Sequence, residues 1–181
     1  MNFVTSRLRS FLACLLLLSL GACRGRHSRT EVKNEEPEPG PRFVSALKMA
    51  DQAAATQLLK GFYGVEGGAW RWTAGEFHVL LRPPLAAAQK GAVLTLAFSI
   101  PDVLIQKLGA VSLSASAGTS KLKSENYSKP GAYTFSADVP AALLAGESIT
   151  IDFALDKSLP AGSVDQRELG LVATAVGLES K

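Results

Sequence analysis

The chain has 181 residues, 47% of them hydrophobic and 19% charged, with 19 basic against 16 acidic side chains and a formal net charge of +3. Its two cysteines and two histidines argue against a disulfide framework and against a clustered His/Cys metal centre. No Lys/Arg stripe interleaved with aromatics runs through it, so nucleic acid is not expected as a partner.

In chain order, the first element is an export signal. A basic start (Arg7, Arg9) leads into an apolar run from Phe11 to Leu20 that only Ser19 interrupts. At about ten residues the run is too short to span a bilayer. The small residues Gly21 and Ala22 close it as a cleavage site would. Cys23 follows directly, and Leu20-Gly21-Ala22-Cys23 resembles the lipobox of bacterial lipoproteins. The resemblance implies that residues 1–22 are removed, that the Cys23 thiol is lipidated and that the new amine is acylated. Several acyl chains on one residue would make membrane attachment effectively permanent. Arg24, where inner-membrane retention would favour Asp, implies the outer membrane by the Gram-negative sorting pattern. Cleavage takes Arg7 and Arg9 with it, so 19 basic side chains become 17, nearly balancing the 16 acids. Cys14 leaves too, and the mature body is expected to fold without a disulfide.

Residues 23–42 form a linker, ending in Glu35-Glu36-Pro37-Glu38-Pro39-Gly40-Pro41. Val32 is its only large apolar residue before Pro41, so burial cannot offset the entropy of ordering, and the prolines favour an extended spacer. His27 lies in this spacer and is assigned no metal. Residues 43–60 are rich in helix formers, with Val44, Leu47, Ala54, Leu58 and Leu59 near one helical face. Ser45 stands as N-cap and Gly61 as stop, so one helix is expected to lead into the domain.

From Ala69 the period becomes two. Phe77/Val79/Leu81, Leu94/Leu96/Phe98/Ile100, Val111/Leu113/Ala115, Tyr133/Phe135/Ala137 and Ile149/Ile151/Phe153/Leu155 each alternate with a second set of residues, most of them small or polar. Leu169–Leu178 is apolar on both faces, as in a central strand. Gly and Pro punctuate these runs at Arg82-Pro83-Pro84, Gly118, Pro130-Gly131, Pro140 and Pro160-Ala161-Gly162, and Pro101–Leu108 reads as a helical turn. The expectation for residues 61–181 is an all-β domain, an antiparallel two-sheet β-sandwich of jelly-roll-like build.

Catalytic signals are thin. His78 is the only histidine in the domain and reads as a surface or edge residue of a strand. No nucleophile elbow, phosphate-binding loop or metal-spaced cluster occurs, so neither an enzyme nor a cofactor or metal is expected. The most specific constellation joins Gly61-Phe62-Tyr63-Gly64-Val65-Glu66 and Trp70-Arg71-Trp72 to Asp165-Gln166-Arg167-Glu168-Leu169-Gly170. These segments resemble the accessory β-sandwich domain of bacterial surface-polysaccharide glycosyltransferases, over about Gly61 to Leu178. Unlike those proteins, this chain carries no glycosyltransferase domain.

Two readings of these residues stand side by side. Glu66 with Arg71, and Asp165 with Arg167, form a structural ion network that stitches the first strand to the last. Tyr63, Trp70, Trp72 and Tyr127 form the candidate ligand surface. The two tryptophans share a strand face that is either core or a stacking platform for sugar rings. The expected function is a non-catalytic, lipid-anchored envelope module that binds carbohydrate. The alternative is a structural or assembly lipoprotein that contacts an envelope protein.

Overall fold

The computed structural model describes residues 42–181; the signal, Cys23 and the spacer as far as residue 41 lie outside the described residues. Nine strands run in order: β1 (Ala46–Lys48), β2 (Leu58–Phe62), β3 (Arg71–Leu81), β4 (Ala92–Ile100), β5 (Val111–Ala117), β6 (Ser120–Tyr127), β7 (Gly131–Val139), β8 (Ile149–Leu155) and β9 (Val172–Ser180). Two short helices, α1 (Ala87–Lys90) and α2 (Asp102–Leu108), flank β4.

The period of two in the sequence becomes an alternation of burial. Every second residue of β4 is buried, and β3 keeps the same alternation over eleven residues. All pairings are antiparallel, and the strands divide into two sheets. The first holds β1, β9, β4 and β7; the second holds β2, β3, β8, β5 and β6. Strand β3 belongs to both. Arg71 and Trp72 pair with Ala173 and Val172 of β9, and from Glu76 onward the same edge pairs with β8.

Between the sheets the apolar faces interlock. Phe77 stacks on Phe153 at 5.0 Å within the second sheet, and Phe135 of the first sheet meets Phe153 edge-on at 6.3 Å. All three rings are almost wholly buried. The all-β, antiparallel two-sheet sandwich is therefore the architecture. Strand β9 pairs on both edges, with β4 on one and with β1 and β3 on the other, so it is the central strand that its sequence suggests.

The helix expected over residues 43–60 is not formed. This stretch is β1, a 3₁₀ turn at Gln52–Thr56, and β2, so the sandwich begins at Ala46 rather than at Gly61. Strands β9 and β3 would otherwise expose unpaired backbone, and Ala46–Lys48 and Leu58–Phe62 satisfy it. Helix propensity is worth only tenths of a kcal/mol per residue and yields to these ladders. The alanine run keeps a single turn, capped by Asp51 through the Ala53 amide at 2.8 Å and not by Ser45. Gln57, almost fully buried, locks the segment: its carboxamide bonds both backbone groups of Val44 and the Leu80 carbonyl. Strand β6 was not anticipated, because its Ser-Lys-Leu-Lys-Ser-Glu-Asn sequence is polar and largely exposed, as suits an outermost strand.

Candidate functional site

The site lies where β3 passes from one sheet to the other. The β2–β3 connection turns back through an isolated bridge between Glu66 and Trp70. Gly67 and Gly68 carry the turn at φ of 56° and 65°, a left-handed conformation that disfavours side chains. Tyr63 then lies opposite Trp72, its amide donating to the Trp72 carbonyl at 3.0 Å. The segment before β9 is clamped at Thr73. Leu171 N donates to Thr73 Oγ1 at 3.1 Å, and Gly170 N donates to the Thr73 carbonyl at 2.6 Å. Leu159 and Leu169 bridge each other and close residues 160–168 into a loop.

Within that loop Arg167 is the hub. Its Nε and Nη2 donate to the two oxygens of Asp165 at 3.1 and 3.0 Å, and its Nη1 donates to Glu66 Oε1 at 2.7 Å. The guanidinium also lies 5.0 Å from the Tyr63 ring centre. Bonds from Arg167 hold the Asp165 carboxyl at about 2, below the ordinary carboxylate range, while both carboxylates raise the Arg167 guanidinium further.

Arg71 stands apart from this network. The Glu66–Arg71 pair expected from sequence is not formed, since Glu66 pairs with Arg167 across 101 positions. The Arg71 side chain turns inward, 8% exposed, and donates to the carbonyls of Met49 at 3.1 Å and Tyr63 at 2.9 Å. It fastens the N-terminal segment to the body through backbone oxygens.

Glu168, adjacent to the hub, floors a cleft of about 560 Å³ lined also by Lys60, Tyr63, Gly75, Glu76 and Ser158. Its Oε1 accepts from Gly75 N at 3.1 Å and Ser158 Oγ at 2.5 Å, while Tyr63 donates its hydroxyl to the Glu168 carbonyl at 2.7 Å. Burial, and then the Glu168 charge, raise the Tyr63 phenol above its ordinary value. Gly75 has no room for a side chain: a Cβ there would stand 2.7 Å from Glu168 Oε1 and 2.9 Å from Ser158 Oγ. Lys157 lines the cleft too, but its ammonium is committed to the carbonyls of Leu108 and Ala110.

The tryptophans are neither core nor open platform. Both are half-buried, meeting edge to face at 6.4 Å, and Trp72 packs on the hydrophobic core. Trp70 lies over the Gly67 turn, its Nε1 3.0 Å from where a Gly67 Cβ would be. Tyr127 is not part of this surface. It ends β6 at 4% exposure, between Phe98 at 5.3 Å and Tyr133 at 4.7 Å, with no partner for its hydroxyl. Its ring bridges the two sheets from inside, where burial and then Glu125 raise the phenol.

His78 is half-buried on β3, flanked by β2 and β8, and its Nδ1 meets Asp152 Oδ1 at 2.5 Å across the β3–β8 pair. No hydroxyl among the described residues bonds the ring, so the pair does not extend to a nucleophile. No group of three or more His, Cys, Asp or Glu side chains among the described residues could hold a metal ion.

The arrangement is suited to recognition. A fixed carboxylate accepts hydrogen bonds, Lys60 and Glu76 add a donor and an acceptor at the rim, and an aromatic ring walls one side. Sequence reasoning singled out neither Gly75 nor Ser158, and it included Glu168 in a motif without giving it a role. A glycine inside an eleven-residue strand was the available signal, since strand glycines mark close approach.

No protein-family model matches this chain, and no curated protein matches it in sequence. Similar solved structures include a CBM36 carbohydrate-binding module in complex with calcium and xylotriose. It is 11% identical with a TM-score of 0.38, and the match covers 75% of this chain and 100% of that one. The CBM36-1 domain of a multidomain xylanase from the hindgut metagenome of Trinervitermes trinervoides is 10% identical with a TM-score of 0.37, over 75% of this chain and 96% of that one. The CBM51-2 module of Clostridium perfringens ZmpB in complex with GlcNAc is 10% identical with a TM-score of 0.37, over 76% of this chain and 28% of that one.

Proposed function

We propose that the protein is a non-catalytic, lipid-anchored module of the cell envelope that binds carbohydrate in the Glu168 cleft. The observation that carries this reading is the cleft floor. The Glu168 carboxylate is fixed by the Gly75 amide and the Ser158 hydroxyl, beside Tyr63 and in reach of Lys60 and Glu76. Sugar hydroxyls donate to such a carboxylate and accept from such a cation, while an aromatic wall covers the C–H face of the ring. Gly61, Phe62, Tyr63 and Glu168 of the cleft belong to the segments that resemble the accessory domain of polysaccharide glycosyltransferases, which supports an envelope glycan as the ligand class.

The anchor enters through Cys23 and the outer-membrane address through Arg24. The spacer would then tether the sandwich to the bilayer. Replacing Cys23→Ser should abolish acyl labelling and release the protein in soluble form; persistent labelling would mean that the cleavage site is elsewhere.

Isothermal titration with a panel of envelope polysaccharides tests the ligand. Binding by the parent and its loss in Glu168→Gln, with the far-ultraviolet circular dichroism unchanged, is the expected outcome. Silence across the panel would remove carbohydrate as the ligand and leave the envelope-protein partner as the reading to pursue.

A further inference from the structure

A second surface sits at the other end of β3. That strand carries the ligand cleft at Gly75 and runs on to Leu81, where Arg82-Pro83-Pro84-Leu85-Ala86 turns toward α1. At about 3.3 Å per residue, Gly75 and Arg82 are separated by roughly 20 Å along the strand. Leu85 is 92% exposed, by far the most exposed large apolar side chain among the described residues. An isolated exposed leucine is ordinary, but four further features single this one out.

The backbone is built to hold it outward. Pro83 and Pro84 stiffen the tip and remove two amide donors, and Ala86 adopts a left-handed φ of 65°, the only non-glycine residue described that does so. A second exposed apolar side chain joins it: Val44, 46% exposed, is tied to the loop by its carbonyl, which accepts from Arg82 N at 3.1 Å. The exposed side chains of Arg42, Arg82 and Lys90 bring three cations to this end, against Glu147 in the cleft that Leu85 lines and Asp51 in the one that Arg42 and Val44 line. Finally, the chain joins the sandwich here, at Arg42 to Ser45, so the spacer that leads back to Cys23 is attached beside Leu85.

We infer that the Arg82–Ala86 tip, with Val44 and Arg42, is a foot that rests on an anionic lipid surface, inserting Leu85 at the headgroup boundary. An apolar point among cations is the composition such a surface selects, and missing amides lower the cost of leaving water. The inference rests on the anchored reading, because tethering beside the foot raises its local lipid concentration enough for a weak contact to count. It also deepens that reading: a grounded foot turns the Glu168 cleft away from the bilayer.

The test uses the mature chain from residue 23 carrying Cys23→Ser, so that no acyl group contributes. It is sedimented with vesicles of phosphatidylcholine, alone or mixed with phosphatidylglycerol. The parent should be retained on the anionic vesicles and lose retention in high salt. Leu85→Ser should lower its partition by about tenfold. Arg82→Gln should give a smaller, salt-dependent loss, with both variants as stable as the parent. Equal retention of parent and Leu85→Ser overturns the foot. So does a Leu85-dependent dimer in analytical ultracentrifugation without any vesicle effect, which would assign the tip to a second copy. Failure of the anchor itself is read separately, as an unacylated mass for the native chain.

Discussion

The two arginines that frame the site are held in opposite ways. Arg71 is buried and spends its donors on backbone carbonyls, whereas Arg167 stays one-third exposed and grips two carboxylates. Sequence treats them alike, as partners of nearby acids. The difference is one of solvent. Inside, a guanidinium satisfies oxygens that water cannot reach, so it acts as structure. Outside, the same group meets carboxylates that water also solvates, so it orders a loop at small net gain.

Breaking the inner arginine should have the largest effect. Arg71→Ala leaves the carbonyls of Met49 and Tyr63 without their donors and opens a void, and a loss of about 3 kcal/mol is expected from urea denaturation. A loss under about 0.5 kcal/mol would show that the two arginines do not differ as argued.

Next comes the Glu168 cleft. Gly75→Ala drives a methyl into Glu168 Oε1 and Ser158 Oγ, so ligand binding should disappear while stability falls by about 1–2 kcal/mol. Retained binding would separate the ligand from the cleft.

The outer arginine should matter less. Arg167→Ala is expected to cost about 1 kcal/mol at neutral pH. Its signature is in acid. Asp165 has a folded value of about 2 against an ordinary 3.8, so the folded state holds its proton less tightly than the unfolded state. The stability this gives is present above 3.8 and is lost as pH falls toward 2. Urea titrations across that window should show the acid loss shrink in Arg167→Ala; an unchanged pH slope would disprove the coupling.

The smallest effect concerns the inner aromatic. Tyr127→Phe removes a buried hydroxyl that has no partner, and stability should hold or rise by up to about 1 kcal/mol. A marked loss would mean that the hydroxyl is bonded.

Much of the sandwich was legible because strands write their buried face at every second residue. Phe77-Val79-Leu81 and Leu94-Leu96-Phe98 face the core as that period predicts. Where the pattern was weak, reading failed in both directions. Residues 43–60 have helical composition but supply two strands, since their partners on β9 and β3 lie far along the chain. Tyr127, placed with the ligand-surface aromatics by sequence, is buried, because it ends a polar strand at an inward position that reaches the core. The hub was half legible: Asp165 and Arg167 are two positions apart and meet locally, whereas Glu66 is brought in by tertiary structure.

What the amino acids determined by themselves was local. Alternation chose the strands and their inner faces, Gly67-Gly68 chose the tight turn, and the spacing of Asp165 and Arg167 set up their pairing. Tertiary structure decided the rest: that Glu66 meets Arg167 and not its neighbour Arg71, and that Glu168 docks on a glycine 93 positions away. The reason is physical. Local preferences act through neighbouring backbone angles and side chains, but a partner a hundred residues distant is selected by sheet register, which only the assembled core fixes.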